Sequence, residues 1–568
     1  MTAAARNSGT RGLSRPFFGG LLIVMLTLVT AGVGGFWYLT ANGPLTLLSG
    51  GDRPIAAATV FIPARSPLTL SLLTRPARLV AFQQAIIDPS QRQQAIREID
   101  QIKQSLLDNT QIDYDRDIQP WIGNEITFAF TDSDLDLEQA GQQPGYLTIL
   151  EIAPERQAQA REFLQLFWQR RSLTNGLPRS ERVSGVRMLY ASGQSPAASA
   201  LVGSQFVMFA NDVRVLRRSI QVAQTAASLA QDRVYRQTVA QLPSERIGLV
   251  YMDTAIARDI SRVATKDAAI SDSPQFAAIS LGITETSLVA QARLVETAQG
   301  SSVEGVALSE PVAALAFLPA NSVIALASYD LSQLESSLAE VGLSSSLLPD
   351  FLQLAPATDQ TADTQTPDIP PLWNWATADY ALGQVISGGR NDWILAVSRE
   401  PEGIAQLDEA ATGQGYSAVP VAIGERKATA WTRFKARSRS RAANSLEAEV
   451  LGLHLQQEGY EIFASSVAAI EAALSAPQGS LLDAARFTQA IAPLNPKNSG
   501  YFYADLSAML QQRSGTAKAT IPMVTLFQSA ARPLIRHIDT LAATRDGPTA
   551  SLSVQLRQPS ATRSSTRP

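Results

Sequence analysis

The chain has 568 residues, of which 45% are apolar, 17% are charged and none is cysteine. It can therefore bury a substantial core, and it holds no disulfide, thiolate metal site or cysteine nucleophile. The two histidines, His454 and His537, are too few for a three-histidine zinc site, and the net charge of −4 argues against general nucleic-acid binding.

An uncharged run of 25 residues extends from Phe17 to Ala41, and a run of this length can cross a bilayer as one helix. Three arginines precede it, which predicts a cytoplasmic N-terminus. We therefore predict a cytoplasmic tail over 1–16, a single transmembrane anchor over 17–41 and a linker over 42–54, with the remaining chain beyond the membrane. A cleaved signal peptide is the alternative, but its apolar core usually spans only about 7–15 residues.

Five short motifs recur in the same order at offsets of 247 to 256 residues. The pairs are Pro63 to Ser66 with Pro319 to Ser322, Trp121 and Glu125 with Trp375 and Asp379, Pro154-Glu155 with Pro401-Glu402, Phe209-Ala210 with Phe463-Ala464, and Tyr251 and Asp253 with Tyr503 and Asp505. Ordered recurrence at a nearly constant offset is the sequence signature of internal repeats. It predicts two tandem copies over 55–308 and 311–556.

Each copy alternates apolar strands with helical segments. Strands are predicted at 68–73, 125–130, 146–152 and 206–210, and in the second copy at 323–329 and 460–464. A helix is expected to follow Pro154 and to bury Phe163, Leu164, Phe167 and Trp168 on one face. This pattern predicts an α+β fold with an antiparallel or mixed sheet in each copy.

Residues before several predicted helices are suited to capping. Asn211-Asp212 and Ser465-Ser466 follow two of the strands and are expected to cap the next helices. The Tyr-x-Asp motifs ending at Asp253 and Asp505 are interpreted in the same way, since an aspartate between a strand and a helix accepts hydrogen bonds from the first free amides. A paired catalytic site is the alternative for these aspartates.

Two segments without apolar periodicity are predicted to lie at the surface. Residues 355–371 are rich in Thr, Asp, Gln and Pro and are expected to form a flexible loop within the second copy. Residues 557–568 are expected to form a disordered tail.

Two groups of acidic residues could serve metal binding or catalysis instead of a structural role. The alternating acids Asp132, Asp134, Asp136 and Glu138 suggest calcium, but the sequence lacks the glycine and glutamate that a calcium loop requires, so an acidic hairpin is favoured. A glycosidase would need Glu125 and Asp379 to converge across one bond. Packing of the nearby tryptophans under the sheet is the favoured interpretation.

A basic strip is the most distinctive surface feature of the sequence. It comprises Trp431, Arg433, Lys435, Arg437, Arg439 and Arg441. Alternate residues of an extended segment share one face, so these side chains predict contact with an acidic partner protein or anionic lipid headgroups. An exposed basic hairpin without a partner is the alternative.

Several passages together resemble a known family. They are RPFFGGLLIV, GGFWYLTANGPLTLLSGG, FIPARSPLTLSLL, QSLLDNTQIDYDRDIQPWIGNEITFAF, QPGYLTILEI and REFLQLFW. The chain resembles the cyanobacterial family known as domain of unknown function 3352, from the anchor to about residue 556. The resemblance implies a membrane-attached protein of the thylakoid lumen or periplasm, and it implies no activity.

The sequence favours a non-enzymatic protein that assists assembly or stability of a membrane complex. The predicted partners are lipid, through the anchor, and a membrane protein; no nucleic acid, cofactor or metal is predicted. The alternatives are an envelope hydrolase and a small-ligand receptor, each using the interface between the two copies.

Overall fold

The computed structural model describes twelve parts of the chain. They are residues 55–74, 112–135, 143–191, 197–253, 276–284, 287–295, 307–334, 349–353, 375–387, 390–438, 444–512 and 538–556. The tail 1–16, the anchor 17–41, the linker 42–54, the loop 355–371 and the tail 557–568 predicted above lie outside these residues. Within the described parts, no helix combines the length and apolarity needed to cross a bilayer.

The described residues form twenty strands, all paired antiparallel in one sheet. The first ten are β1 (Leu68–Leu72), β2 (Ile122–Asp132), β3 (Gly145–Ile152), β4 (Arg179–Val183), β5 (Val186–Tyr190), β6 (Ala198–Val202), β7 (Phe206–Ala210), β8 (Gly248–Asp253), β9 (Phe276–Ile283) and β10 (Ser287–Leu294). The others are β11 (Ile324–Tyr329), β12 (Asp379–Ser387), β13 (Arg390–Ser398), β14 (Ser417–Ile423), β15 (Arg426–Ser438), β16 (Asn444–Gln457), β17 (Tyr460–Ala464), β18 (Gly500–Asp505), β19 (Ile538–Asp546) and β20 (Thr549–Leu556).

The two sets of ten strands follow the same spatial order. The first runs β4-β5-β6-β7-β3-β2-β1-β8-β9-β10, and the second runs β14-β15-β16-β17-β13-β12-β11-β18-β19-β20. The final strands β10 and β20 pair with each other. The two halves of the chain therefore share one continuous ladder of hydrogen bonds.

Strand registers in the two halves match at the offsets that relate the sequence motifs. Leu68 lies opposite Phe130 in the first half, and Ile324 lies opposite Gln384 in the second, 256 and 254 residues later. Likewise, Leu147 pairs with Ala210 and Ile394 pairs with Ala464, at offsets of 247 and 254. Equivalent positions of the halves can therefore be compared residue by residue.

Seven α-helices cover the two faces of the sheet within the described residues. They are α1 (Gln157–Asn175), α2 (Val213–Val222), α3 (Arg233–Ala240), α4 (Pro401–Gly413), α5 (Val467–Ser475), α6 (Ala485–Ile491) and α7 (Leu506–Gln512). Helices α2, α3, α5 and α6 pack on one face, in cores that include Tyr251 and Tyr503. Helices α1 and α4 pack on the opposite face, against Phe209 and Phe463. An antiparallel sheet with helices on it confirms the predicted α+β class.

Local predictions hold where the structure describes them. The four apolar residues predicted on one face of α1 are all buried. Asp212 accepts from the amide of Arg214, and Ser466 accepts from the amide of Ala469, as N-caps do. Asp505 accepts from the amide of Ala508 at 2.8 Å and so caps α7, which confirms the structural interpretation for this Tyr-x-Asp motif. The residues after Asp253 lie outside the described parts.

Candidate functional site: a projecting hairpin and the charged cluster at its base

Strands β15 and β16 extend well beyond their neighbours. Strand β14 pairs with β15 only as far as Thr432, and β17 pairs with β16 only from Leu453 onward. Residues 433–438 and 444–449 pair with each other, and with no other strand of the described chain. We call residues 433–438 and 444–449 the arm. At about 3.4 Å per residue, its first strand projects about 20 Å beyond β14.

Among its described residues, the first half has no equivalent of the arm. Strand β4 flanks β5 along its whole length, from Arg179 opposite Tyr190 to Val183 opposite Val186. Strand β7 flanks all of β6 in the same way. The two halves otherwise share their strand order, so the arm is a feature that the second half alone carries and the common fold does not require.

Trp431, the aromatic residue of the predicted basic strip, lies in the core. Its side chain is 1% exposed and stacks against Phe463, and its indole Nε1 donates to Asp408 Oδ1 at 2.7 Å. A contact role for Trp431 is therefore wrong, because it occupies the buried base of the arm.

The cations of the strip are accompanied by carboxylates from the neighbouring strand. The guanidinium of Arg433 stacks on the Tyr416 ring at 4.4 Å and forms an ion pair with Glu449. The register pairs Lys435 with Glu447, and Arg437 follows at the position opposite Ser445. Arg439 and Arg441 lie outside the described residues. Cross-strand acids thus offset part of the charge that the sequence of β15 alone suggests.

The exposed aromatic residue of the arm is Phe434. Its side chain is 71% exposed, and Val450, two positions along the ladder, is 46% exposed. Phe434 alternates with Arg433 along β15, so the arm presents an apolar position on the face opposite its charges. The basic strip predicted from the sequence includes only odd-numbered positions and therefore omits Phe434; the same alternation rule applied to the even positions identifies it.

A buried charged cluster lies at the base of the arm. The ring of His454 on β16 is 4% exposed. Its Nδ1 lies 2.6 Å from Glu461 Oε1 on β17, and its Nε2 lies 3.2 Å from Asp408 Oδ1 on α4. Arg399 donates to the other oxygen of Glu461 at 3.3 Å. The charged cluster, defined as His454, Asp408 and Glu461, therefore joins α4, β16 and β17, and through Trp431 it joins β15.

Burial alone would lower the pKa of His454, because it disfavours the charged ring. Hydrogen bonds and charge interactions with Asp408 and Glu461 outweigh burial and raise the pKa to about 8. Burial likewise acts to raise the pKa of Asp408, but the hydrogen bonds from His454 and Trp431 hold that pKa below its usual value. At neutral pH the ring of His454 is therefore mainly protonated, and it lies between the side chains of Asp408 and Glu461.

The first half places a neutral hydrogen bond at the equivalent position. Ser199 pairs with Phe209 across β6 and β7, and His454 pairs with Phe463 across β16 and β17, so Ser199 and His454 correspond. Ser199 Oγ accepts from the indole of Trp168 on α1 at 2.7 Å. In each half the side chain at this strand position therefore contacts the helix on this face, α1 or α4. Only in the second half are the contacting groups titratable.

Stability is expected to fall as the pH rises through the pKa of His454. A folded pKa of about 8 exceeds the unfolded value of 6.5, so the stabilisation is complete below pH 6.5 and is lost above about pH 8. The free energy of unfolding should decrease by about 2 kcal/mol between pH 6.5 and pH 9. Urea unfolding across this range measures the decrease. The His454→Ser variant is the control, and an equal decrease in it would contradict the assignment.

Comparison with known proteins places the chain in a family. A family model described as "Protein of unknown function (DUF3352)" matches residues 21–557. The chain belongs to this family. The resemblance that the sequence passages indicated is thereby confirmed, and the family description assigns no activity.

Other comparisons add little to this DUF3352 member. No curated protein matches it. A solved structure titled "Structure of crystal form I of TP0453" is similar at 10% identity with a TM-score of 0.24, over 44% of this chain and 81% of that chain. A likeness of that size carries no argument about fold or function, so the function must be argued from the geometry.

The two carboxylates of the glycosidase hypothesis lie in equivalent places in the two halves of this DUF3352 protein. Glu125 accepts from the amides of Ala57 and Ala58 at 2.7 and 2.8 Å, and Asp379 accepts from the amide of Ala314 at 3.2 Å. Nine strand-to-strand steps separate β2 from β12, about 40 Å along the sheet. Each carboxylate binds the start of a 3₁₀ helix in its own half, so the geometry gives the paired-carboxylate hypothesis no support.

The predicted acidic hairpin is engaged by protein groups. Asp132 forms an ion pair with Arg218 at 3.1 Å, and Asp134 accepts from the amide of Gln143 at 3.2 Å. Asp136 and Glu138 lie outside the described residues. Among the residues that are described, no group of three His, Asp or Glu side chains is placed to hold a metal ion.

Proposed function

We propose that this DUF3352 member is a membrane-anchored, non-enzymatic scaffold that assists the assembly or stability of a membrane complex. Residues 17–41 anchor it as a single-pass helix in a thylakoid or inner membrane, and two tandemly duplicated α+β repeats lie on the lumenal or periplasmic side. The arm contacts a membrane-protein partner. The anchor and compartment rest on the sequence and on what its family resemblance implies.

The observation that carries this proposal is the projection of the arm with Phe434 at its surface. A large aromatic side chain that is 71% exposed on a protruding hairpin matches the residues that dominate protein interfaces. Residues 433–449 contain five Arg or Lys and two Glu, a balance of +3 on a chain of net charge −4. Such a charge contrast favours a partner with an acidic surface.

The charged cluster supports a structural role rather than a catalytic one. Both ring nitrogens of His454 are engaged by carboxylates, and the ring is stacked on Trp431 and Phe463. A general base needs one nitrogen within reach of a substrate proton. His454 is committed to holding neighbouring elements together.

Removing the exposed aromatic residue of the arm is expected to release the partner. Phe434→Ser should reduce the co-purified membrane protein at least about tenfold, since interface anchors contribute about 2 kcal/mol or more. The triple variant Arg433→Ser, Lys435→Ser and Arg437→Ser should weaken the association and reduce its dependence on salt. Tagged protein expressed at its native level, gently solubilised and analysed by quantitative mass spectrometry, measures both effects.

The hairpin formed by β4 and β5 in the first half supplies the control. Arg179, Arg182 and Arg187 are exposed there on β4 and β5, and their replacement by serine removes the same number of charges. This variant should retain the partner. Co-purification unchanged by Phe434→Ser, or reduced equally by the control triple variant, would contradict contact through the arm.

A further inference from the structure

We infer that the charged cluster of His454, Asp408 and Glu461 is a pH-sensitive switch that fixes the base of the arm when His454 is protonated and loosens it when His454 is neutral. This inference concerns the regulation of the proposed partner contact and rests on the proposed function in that respect alone. The structural change itself can be measured without any partner.

The contacts of Asp408 place the switch between helix α4 and the arm. Asp408 Oδ1 accepts from Trp431 Nε1 on β15 at 2.7 Å and lies 3.2 Å from His454 Nε2 on β16. Both strands of the arm therefore converge on one carboxylate of α4. Thr429 pairs with His454 and Trp431 pairs with Gly452 immediately before the arm begins, so any movement of α4 acts directly on its base.

Loss of one proton breaks these contacts unequally. A neutral imidazole has one N–H, and the other nitrogen carries a lone pair. The proton remains on Nδ1, because Glu461 lies closer, at 2.6 Å, and is itself 4% exposed. Nε2 then presents its lone pair to Asp408, whose side chain is 34% exposed and can turn to water. The contact between Asp408 on α4 and His454 on β16 is therefore the one that is lost.

The charged groups around His454 set the direction of the response. Asp408 acts from α4 and Glu461 acts from β17, while Arg399 forms an ion pair with the other oxygen of Glu461. Trp431 and Phe463, which stack on the ring, are neutral. Both carboxylates favour the imidazolium, so the arm is fixed at low pH and loosens as the pH rises.

The first half provides an internal comparison. Ser199 at the equivalent position binds Trp168 through a neutral hydrogen bond that does not titrate in this range. The contact between Ser199 and Trp168 in the first half is thus independent of pH. The contact between His454 and Asp408 in the second half, which carries the arm, depends on pH. Packing alone does not require this difference, because the two positions lie opposite equivalent phenylalanines.

Hydrogen exchange of the full-length protein at pH 6.5 and pH 9 tests the inference, with rates corrected for intrinsic chemistry. His454 titrates at about 8 when folded against 6.5 when unfolded, so opening at the arm base can increase up to about fifteenfold between these pH values. The increase is expected in α4, at residues 429–432 and at residues 450–454. The peptide over residues 186–202 of the first half should be unchanged.

Two variants separate the switch from a general loosening. His454→Ser installs the residue found at position 199, and Asp408→Asn retains His454 but removes the charge of α4. His454→Ser should give the same exchange at the two pH values, and Asp408→Asn should reduce the difference between them, because Glu461 still faces the ring. Equal protection of the wild-type arm base at both pH values, or an undiminished pH effect in the variants, would overturn the inference.

Partner co-purification at the same two pH values keeps this test distinct from that of the proposed function. Exchange that responds to pH while no partner is bound at either value would contradict only the scaffold role. Partner binding that requires Phe434, together with hydrogen exchange that is the same at both pH values, would contradict only the switch.

Discussion

Replacing Trp431 by alanine is expected to lower the free energy of unfolding by about 3–5 kcal/mol, the range for a large buried aromatic side chain. Trp431 is 1% exposed, stacks on His454 and Phe463, and donates to Asp408. Its removal leaves a cavity at the base of the arm and takes a hydrogen-bond donor from Asp408. Chemical unfolding of the purified protein, followed by circular dichroism at pH 7, measures the loss.

Phe434, three residues along the same strand, is the matched control for Trp431. Phe434 is 71% exposed, and surface substitutions usually change stability by no more than about 0.5 kcal/mol. Phe434→Ala should therefore leave unfolding unchanged while it weakens the proposed partner contact. A loss below about 1 kcal/mol for Trp431→Ala would contradict the burial of its side chain, and a large loss for Phe434→Ala would show that the arm packs against the body.

The strands, the caps and the equivalence of the halves could be predicted because they depend on local patterns. Short apolar runs such as residues 206–210 and 460–464 have few alternatives to a strand, and the aspartate or serine after them has a defined role at a helix start. Motifs repeated in order also identified corresponding positions before their registers were known. Such features need only neighbours along the chain.

The site could not be predicted in full because it depends on pairing between distant residues. The sequence places three cations of the strip on one face of β15, but only the register brings Glu447 and Glu449 beside them. His454 has no metal-ligand spacing in the sequence. Its partners Asp408 and Glu461 come from a helix 46 residues earlier and from the next strand. No short-range pattern signals that convergence.

Divergence between equivalent positions shows where the halves acquired different chemistry. Ser199 corresponds to His454, and the flanking Phe209 and Phe463 are retained. The fold therefore accommodates either a neutral hydrogen bond to α1 or a charged contact with α4 at this position. Function can depend on which of the two is present. The arm and the charged cluster occur together in the same half, which is the pattern expected if one acts on the other.

Replacing Glu125 by alanine is expected to lower the free energy of unfolding by about 2–6 kcal/mol, because it removes the acceptor of two amides at about 1–3 kcal/mol each. Glu125 is 1% exposed and accepts from Ala57 and Ala58. Burial raises the pKa of Glu125, so the neutral Glu125→Gln variant, which keeps one acceptor, should lose less. Urea unfolding at pH 7 ranks the two variants.

The equivalent residue of the second half completes this test. Asp379 accepts from only one backbone amide, that of Ala314; its other donors are the hydroxyls of Ser398 and Tyr460. Asp379 is only partly buried, so water can replace it there, and Asp379→Ala should lower the free energy of unfolding by no more than about 2 kcal/mol. If both carboxylates instead served a shared reaction, alanine at either position would abolish an activity and barely change stability. A large stability loss at Glu125 with a smaller one at Asp379 is the result that a capping role requires.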